Sequence, residues 1–316
     1  MQPVEIDFGR HNPGVDPQLH IWGWEIPAYL FLGGMVAGLM VLTAAVELRG
    51  DRPRSWAMQL APFGALGLIS LGMGALFLDL AHKLYVWRFY LAFRPASPMS
   101  WGAWILLLVY PALAIQGLGG LDATARGWLT RTFGARAGWA LGQADEHRTP
   151  VLWATLAVGV SLGVYTGLLL GTVPARLLWN SAALGPLFLA SGVSTAAALL
   201  LLLPLTDDER HRTAKLDVAA MLAEVVLLGI FLVGLASGGT PQRSAAHALL
   251  GGEYTAPFWA LVVLLGLATP LALNAAESWL RRPATRLAPL LVLIGGYSLR
   301  AIVVAAGQHS SFALLP

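Results

Sequence analysis

Eight segments of this sequence are each apolar over about 20 residues, the length that a helix needs to cross the hydrocarbon core of a bilayer. They lie at about 26–46, 60–81, 100–120, 151–171, 182–204, 217–237, 256–276 and 287–307. Since these segments fill most of the chain, no stretch is left for a separate soluble domain. The sequence therefore predicts an all-α integral membrane protein, in which residues 1–316 form one transmembrane domain of eight helices that we number 1 to 8.

The charge content agrees with a membrane protein. Charged residues make up 12% of the chain, whereas an ordinary soluble domain has roughly 25%. The net charge of +3 is small and the basic residues lie in short loops, so we expect no nucleic-acid-binding surface. The sequence has no cysteine, which excludes disulfides, an iron–sulfur cluster held by this chain and covalently attached haem.

The distribution of Lys and Arg predicts the orientation of the helices. The loops that follow helices 1, 3, 5 and 7 contain 13 of the 20 basic residues, and the other side contains 7. Because basic loops stay in the cytoplasm, both termini are predicted to be periplasmic, in a bacterial inner membrane. The N-terminal tail lacks the basic region of a signal peptide, so none is predicted. The basic connection at 121–150, with interleaved Trp and Leu, is predicted to lie on the membrane surface.

Proton-carrying side chains gather at the predicted outer ends of three helices. Glu25 and Tyr29 lie at the start of helix 1, Asp79 and His82 at the end of helix 2, and Tyr165 in the outer half of helix 4. A charged side chain at membrane depth normally faces protein or a water-filled cavity and marks a pathway or a site. The sequence therefore predicts a functional site near the outer face.

Several of these residues also have an ordinary structural explanation. Glu25 is consistent with a solvated carboxylate at a helix N-terminus, where the helix dipole favours it. His82 and Lys83 are consistent with side chains that snorkel to the headgroups, and Tyr29 with an aromatic belt. For Asp79, which lies inside the apolar run, an ion pair with Lys83 four residues later is the structural alternative.

A second polar set lies elsewhere in the predicted helices. Glu224 is in the inner third of helix 6, Glu277 is at the inner end of helix 7, and Arg300 is in the outer half of helix 8. Two interpretations stay open, because these residues fit a proton path from the inner side as well as they fit structural pairs or interfacial charges.

Quinone chemistry fits the residues near the outer face. The seven histidines lie in tails, loops or helix ends, so we expect no haem and no metal site in this chain. A flat quinone headgroup needs hydrogen-bond donors at two oxygens and groups that accept the two protons of quinol, as acids, imidazoles and tyrosines do. Asp79 and His82, three residues apart, are expected to share one face of helix 2 and to relay these protons outward. With no electron carrier in the chain, electrons have to pass to a partner.

Two segments carry a family resemblance. The sequences LDLAHKLYVWRFYLAFRPASPMSWGAW at 78–104 and GVYTGLLLGTVPARLLWNSAALGPLFLASGVSTAAALLL at 163–201 resemble the NrfD/PsrC family of quinone-interacting membrane subunits. The stretches WEIPAYLFLGGMVAG and GGYSLRAIVVAAGQ fit the same family, so the resemblance covers essentially the whole chain. It implies two four-helix bundles and a menaquinone or ubiquinone site near the outer face, formed by helices 1 to 4. Tyr165 matches the family's quinone-site tyrosine, Tyr29 stands where some relatives have a histidine, and Glu25 stands where they have a polar residue.

The resemblance also implies partner subunits. A ferredoxin-like iron–sulfur subunit is expected on the periplasmic face, and the terminal chemistry is expected in a molybdopterin or multihaem cytochrome subunit. The contacts expected from loops 83–98, 172–181 and 238–255 include Trp87, Arg88, Arg176 and Trp179, since aromatic residues and Arg are favoured in interface cores.

Two other function classes stay open from the residues. A secondary transporter would use Asp79, Glu25 and Arg300 to bind a substrate or ion at mid-depth, although the polar residues cluster toward one face. A purely structural membrane anchor for a partner would not require the buried acids.

Overall fold

The computed structural model describes residues 22–49, 55–80, 82–91, 93–173, 176–280 and 285–310. These residues form helices and connecting turns, with no strand among them. Eight helices in the described part are long and apolar enough to span a membrane. In chain order they are Glu25–Leu48, Trp56–Asp79, Pro98–Gly120, Arg148–Gly171, Leu184–Leu201, Asp207–Ala236, Thr255–Glu277 and Leu287–His309. The prediction of an all-α fold with eight spans is confirmed, and these are helices 1 to 8 below.

Some of the predictions concern residues outside the described ranges. They are the N-terminal tail with its missing signal peptide, the two histidines His11 and His20, and five of the basic residues used for orientation, namely Arg10, Arg52, Arg54, Arg281 and Arg282.

The start of helix 1 and the end of helix 8 lie together. Trp22, just before helix 1, donates its backbone N–H to Gln308 Oε1 at 2.7 Å and accepts a bond from Gln308 Nε2 at 3.2 Å. We term this end of the molecule the terminal face and the other end the opposite face. That the terminal face is periplasmic stays a prediction.

The eight helices pack as two four-helix bundles, as predicted. Helices 1, 2, 3 and 4 contact one another in a closed ring, and helices 5, 6, 7 and 8 form the second group. The bundles meet mainly where helix 1 packs against helix 5. Glycines allow this close approach, because a Cβ on Gly38 or Gly192 would overlap the backbone of the facing helix.

Helix 6 begins about ten residues earlier than predicted, at Asp207. Thr206 and Glu209 form a capping box, in which each side chain bonds the backbone N–H of the other residue. Glu209 Oε1 also accepts a bond from the backbone N–H of Ser55, before helix 2. The prediction missed this start because it was based on apolarity, whereas polar residues form the first turns.

The connection between helices 3 and 4 is a pair of short helices, Ala123–Phe133 and Ala135–Glu146. They turn at Gly134, whose φ of 62° suits a glycine, and Arg126 joins them through two bonds to Asp145, at 2.5 and 2.9 Å. The hydrogen bonds to Asp145 raise the pKa of Arg126 above its usual value. The second helix buries Leu141 and packs against helix 3, so the segment covers the end of the first bundle. Its Trp and Phe side chains are exposed.

Candidate functional site

Two buried tyrosines meet inside the first bundle, toward the terminal face. Tyr29 of helix 1 and Tyr165 of helix 4 are almost fully buried, and Tyr165 and Tyr90 lie near the Tyr29 hydroxyl. Tyr90 belongs to the short helix Arg88–Leu91 in the connection between helices 2 and 3. Burial, and to a smaller degree Tyr110, raises the pKa of Tyr90, so its hydroxyl stays a hydrogen-bond donor at neutral pH. We term Tyr29, Tyr90 and Tyr165 the tyrosine cluster.

Glycines on the two remaining helices make room for the tyrosine rings. A Cβ on Gly102 of helix 3 would overlap the phenol of Tyr165. A Cβ on Gly72 of helix 2 would lie 3.8 Å from the ring of Tyr29. All four helices of the first bundle therefore shape the surroundings of the tyrosine cluster.

A cavity of about 470 Å³ lies at the terminal face, between the end of helix 2 and the start of helix 3. Its wall combines apolar and polar side chains, which are Leu80, His82, Tyr85, Arg88, Phe89, Arg94, Ser97, Met99 and Ser100. The cavity wall includes Phe89, which directly precedes Tyr90 in the chain, and Ser100, two residues before Gly102 on helix 3.

Local bonds fix the segment that encloses this cavity. The backbone N–H of Arg94 donates to Ser100 Oγ at 3.0 Å, and the indole N–H of Trp101 donates to the carbonyl of Pro95 at 2.7 Å. The Arg88 guanidinium lies 4.4 Å from the centre of the Tyr85 ring, a cation–π distance. The loop is thereby held against the start of helix 3.

Asp79 and His82 do not share a helix face, so this prediction was wrong. Helix 2 ends at Asp79, and Leu80 is extended with ψ of 126°. His82 lies in a turn before the 3₁₀ helix Lys83–Tyr85, is exposed and lines the cavity. Lys83 is likewise outside helix 2, so the helical i,i+4 spacing assumed between it and Asp79 does not exist. The apolar pattern suggested a longer helix than the backbone forms.

Glu25 and the expected interface residues are spread over the terminal face. Glu25 is half-buried, and its carboxylate folds back over Gly23. Trp87 and Arg88 are exposed. Arg176 donates a bond to the carbonyl of Gln308.

A contact with a partner requires an exposed side chain, but Trp179 does not lie on the surface. Its indole N–H donates to the Val303 carbonyl at 2.8 Å, and its ring stacks on Trp22 with centroids 5.1 Å apart. The side chain is 2% exposed. It anchors the loop after helix 4 to helix 8.

Arg300 and Glu224 belong to one buried network in the second bundle. The Arg300 guanidinium donates to the carbonyls of Leu30, Phe188 and Gly296 and to Ser191 Oγ, at 2.8 to 3.1 Å. Ser194 Oγ donates to Glu224 Oε2 at 3.1 Å, and Ser191 lies beside the same carboxylate. Arg300 therefore links helix 1 of the first bundle to the carboxylate on helix 6.

Glu277 stands apart from this network. Its carboxylate accepts bonds from the backbone N–H and the hydroxyl of Thr285, at 2.8 and 2.7 Å. It thereby ties the end of helix 7 to the residues before helix 8.

Besides Glu209 of the capping box, two buried acids were missed by the sequence analysis. Asp217 lies on the buried side of helix 6, seven residues before Glu224, and this spacing of two helical turns was the available signal. Glu47 is buried in the last turn of helix 1 and pairs with Arg148 at 3.2 Å. It lies at the end of helix 1 beside a basic loop, and the sequence analysis did not single it out. Among the described residues, no group of three or more acids and histidines suits a metal ion.

The comparisons with known proteins agree with this architecture. The family model described as polysulphide reductase, NrfD, matches residues 12–311. One of the polysulfide reductase chains of Wolinella succinogenes is 30% identical over 304 residues, covering 91% of this chain and 94% of the relative. Protein NrfD of Escherichia coli is 30% identical over 310 residues, covering 91% and 95%. A putative dimethyl sulfoxide reductase membrane subunit of Halobacterium salinarum is 28% identical over 287 residues, covering 83% and 63%. Since the family model matches nearly the whole chain, this multi-pass membrane protein belongs to the polysulphide reductase NrfD family.

Proposed function

We propose that this chain is the membrane-embedded subunit of a respiratory reductase complex, and that it exchanges electrons and protons between a membrane quinone and an iron–sulfur partner. The observation that carries the proposal is the tyrosine cluster beside the cavity at the terminal face. The connection between helices 2 and 3 and the first turn of helix 3 line the cavity, and Tyr29 and Tyr165 bring buried hydroxyl donors from helices 1 and 4 to the same end of the bundle.

The residues around this space suit the headgroup of menaquinone or ubiquinone. A volume of about 470 Å³ falls within the range of roughly 300–1,000 Å³ of small-molecule sites, which combine apolar walls with a few polar groups. Leu80, Phe89 and Met99 provide apolar wall, and His82 provides a polar group on the same wall. Tyr165 and Tyr29 would donate hydrogen bonds to a quinone oxygen that reaches inward from the cavity.

A bound quinol supplies two electrons and two protons. The chain has side chains that take protons at the terminal face: His82 on the cavity wall and Asp79 at the end of helix 2. The electrons leave this chain for the iron–sulfur subunit, and the protons leave through Asp79 and His82. Glu25, half-buried at the start of helix 1, is a further acid on this face.

The terminal face is also where we place the partner. The loop between helices 2 and 3 exposes Trp87 and Arg88, which suit an interface core. Relatives whose names describe parts of polysulfide and dimethyl sulfoxide reductases support a reductase complex. The complex would contain a molybdopterin or multihaem cytochrome catalytic subunit and would lie in a bacterial inner membrane.

The network of Glu224 and Arg300 supports a proton relay through the second bundle as an additional proposal. Glu224 is buried beside Ser191, which accepts a bond from Arg300, and Arg300 also donates to the carbonyl of Leu30, next to Tyr29. Glu277 would take part in this relay only at the opposite face, where its hydrogen-bond donor Thr285 lies. The same contacts weigh against a transporter site shared by Arg300, Asp79 and Glu25, because the bonds of Arg300 go to backbone carbonyls and Ser191.

The experiment that tests the proposal is quinol oxidation by the purified complex carrying Tyr165→Phe. The substitution keeps the ring against Gly102 and removes one hydrogen-bond donor. We expect turnover to fall about 3- to 10-fold, the loss of one hydrogen bond, while activity with an artificial electron donor to the partner is retained. Tyr297→Phe is the matched control, since Tyr297 is an exposed tyrosine of helix 8. A normal rate in the Tyr165 variant would mean that the ring contributes packing alone.

A further inference from the structure

A second buried polar cluster lies at the opposite face of the first bundle, far from the tyrosines. Glu47 of helix 1 accepts bonds from Gln116 Nε2 of helix 3 at 3.0 Å and from Arg148 Nη2 of helix 4 at 3.2 Å. Gln116 Nε2 also donates to Thr43 Oγ1 at 3.0 Å. We term these four residues the Glu47 cluster. It joins helices 1, 3 and 4, three of the four helices that shape the surroundings of the tyrosine cluster at their other ends.

Two atoms of this cluster are buried without a hydrogen-bond partner among the described residues. They are Gln116 Oε1, which is an acceptor, and Arg148 Nε, which carries a donor hydrogen. Buried polar atoms are nearly always paired with protein or ordered water. Two exceptions of opposite character, on two side chains that both bond Glu47, therefore indicate that something else completes the cluster.

The orientation of the Gln116 side chain is fixed by its surroundings. Its amide nitrogen faces Glu47 Oε1 at 3.0 Å. If the amide were reversed, two oxygens would face each other at that distance, and the interaction with the carboxylate would become repulsive. The free acceptor is therefore a property of the site, because the nitrogen is held toward Glu47.

We propose that ordered internal water binds in the Glu47 cluster, donating to Gln116 Oε1 and accepting from Arg148 Nε. Only a neutral molecule that both donates and accepts satisfies the two atoms. A metal cation would suit Gln116 Oε1 but would face the guanidinium charge. An anion, such as a lipid phosphate, would suit Arg148 Nε but would face the oxygen atoms of Gln116 and Glu47. Water is small, neutral and able to do both.

The water completes a joint between the ends of helices 1, 3 and 4. Apolar core residues lie between this joint and the tyrosine cluster, including Met40, Val109 and Leu162. The hydrated site is thus separated from the terminal face by packed side chains. The proposal concerns the opposite face alone and does not depend on quinone exchange.

The test is a cryo-electron microscopy structure of the complex in lipid nanodiscs, at a resolution that shows buried waters. We expect density within hydrogen-bonding distance of Gln116 Oε1 and of Arg148 Nε in the wild type. Arg148→Lys keeps a cation for Glu47 but removes the Nε–H donor, and Gln116→Met keeps the length of the side chain but removes the acceptor. Density at the altered position should be lost in each variant.

A thermal unfolding measurement tests the polar joint as a whole, because Gln116→Met removes the bonds to Glu47 and Thr43 together with the acceptor for water. Gln116→Met should lower the unfolding temperature, whereas Gln143→Met, the same change in the helix Ala135–Glu146, should leave it nearly unchanged because Gln143 is half-exposed. Absence of density at the two atoms in a wild-type map that resolves other buried waters would overturn the proposal. So would a phosphate-sized density that contacts Arg148 and leaves Gln116 Oε1 without a partner.

Discussion

The phenol of Tyr165 packs directly on Gly102, on the neighbouring helix. A methyl group on Gly102 would overlap Oη and Cζ of the tyrosine, so only glycine at this position allows the ring to lie where it does. The relationship ties the first turns of helix 3 to the outer half of helix 4. It also places the hydroxyl of Tyr165 beside the helix that begins at the cavity.

Gly102→Ala should therefore displace Tyr165 without removing it. We expect quinol oxidation by the purified complex to fall about tenfold or more, because a misplaced hydrogen-bonding group loses more than its own bond. Gly64→Ala in helix 2 is the control, since a Cβ there meets nothing within 4 Å. That change should leave turnover normal and raise helix stability by up to about 1 kcal/mol. Normal turnover in the Gly102 variant would show that the position of the Tyr165 ring is unimportant.

The helices were predictable from the sequence because the bilayer imposes their length and apolarity. An apolarity criterion does not detect helix ends that polar residues form. Helix 6 starts at a capping box that an apolarity criterion passes over, and helix 2 stops at Asp79, three residues before the His82 that was placed on it. The backbone of helix 7 also departs from the α-helix, since Phe258–Ala268 is wound as a π-helix.

The site was predictable only in part, for a related reason. Tyr29 and Tyr165 were identified from their positions in helices 1 and 4, whereas Tyr90, in the loop between helices 2 and 3, was missed. Contacts such as Gly102 with Tyr165 join residues far apart in sequence, so no local pattern reveals them. Trp179 illustrates the opposite error, because an aromatic residue in a loop looked exposed while its ring is buried against Trp22 and helix 8.

The position of the partner can be tested by crosslinking from two exposed tryptophans at opposite ends of the molecule. A photo-crosslinking amino acid in place of Trp87, at the terminal face, should yield adducts with the iron–sulfur subunit. The same amino acid in place of Trp139, in the helix Ala135–Glu146 at the opposite face, should yield none. Trp87 is 52% exposed and Trp139 is 71% exposed, so solvent access alone would not favour crosslinking from position 87. Adducts from position 139 alone would place the partner on the opposite face and contradict the proposed interface.

Arg300→Lys should weaken the junction between the two bundles. The guanidinium makes four bonds to helices 1, 5 and 8, and a lysine has three donors on a single point that cannot reproduce this geometry. Each lost bond to a charged group is worth about 1.5–3 kcal/mol, so we expect the unfolding temperature of the complex to drop by more than about 5 °C.

Arg212→Lys is the matched control for that change. Arg212 pairs with Asp208 one turn earlier on an exposed face of helix 6, where such a pair contributes little. Its unfolding temperature should stay within about 1 °C of the wild type. If the Arg300 variant behaves like this control, the buried guanidinium is not what holds helix 1 to the second bundle.

Asp79→Asn tests the proton-accepting role at the end of helix 2. A carboxylate in the last turn of a helix faces the negative end of the helix dipole, so it does not stabilise the helix terminus. The amide keeps the shape of the side chain but cannot take up a proton. Because general acid–base groups contribute about 10²- to 10⁴-fold in rate, we expect quinone-linked turnover to fall at least about tenfold, with the partner bound and artificial-donor activity retained.

Asp122→Asn is the control at the opposite face, where asparagine caps a helix as well as aspartate does. A near-normal rate for Asp79→Asn from about pH 6 to 8, on both sides of the ordinary histidine pKa, would mean that Asp79 is structural and that quinol protons leave by another residue.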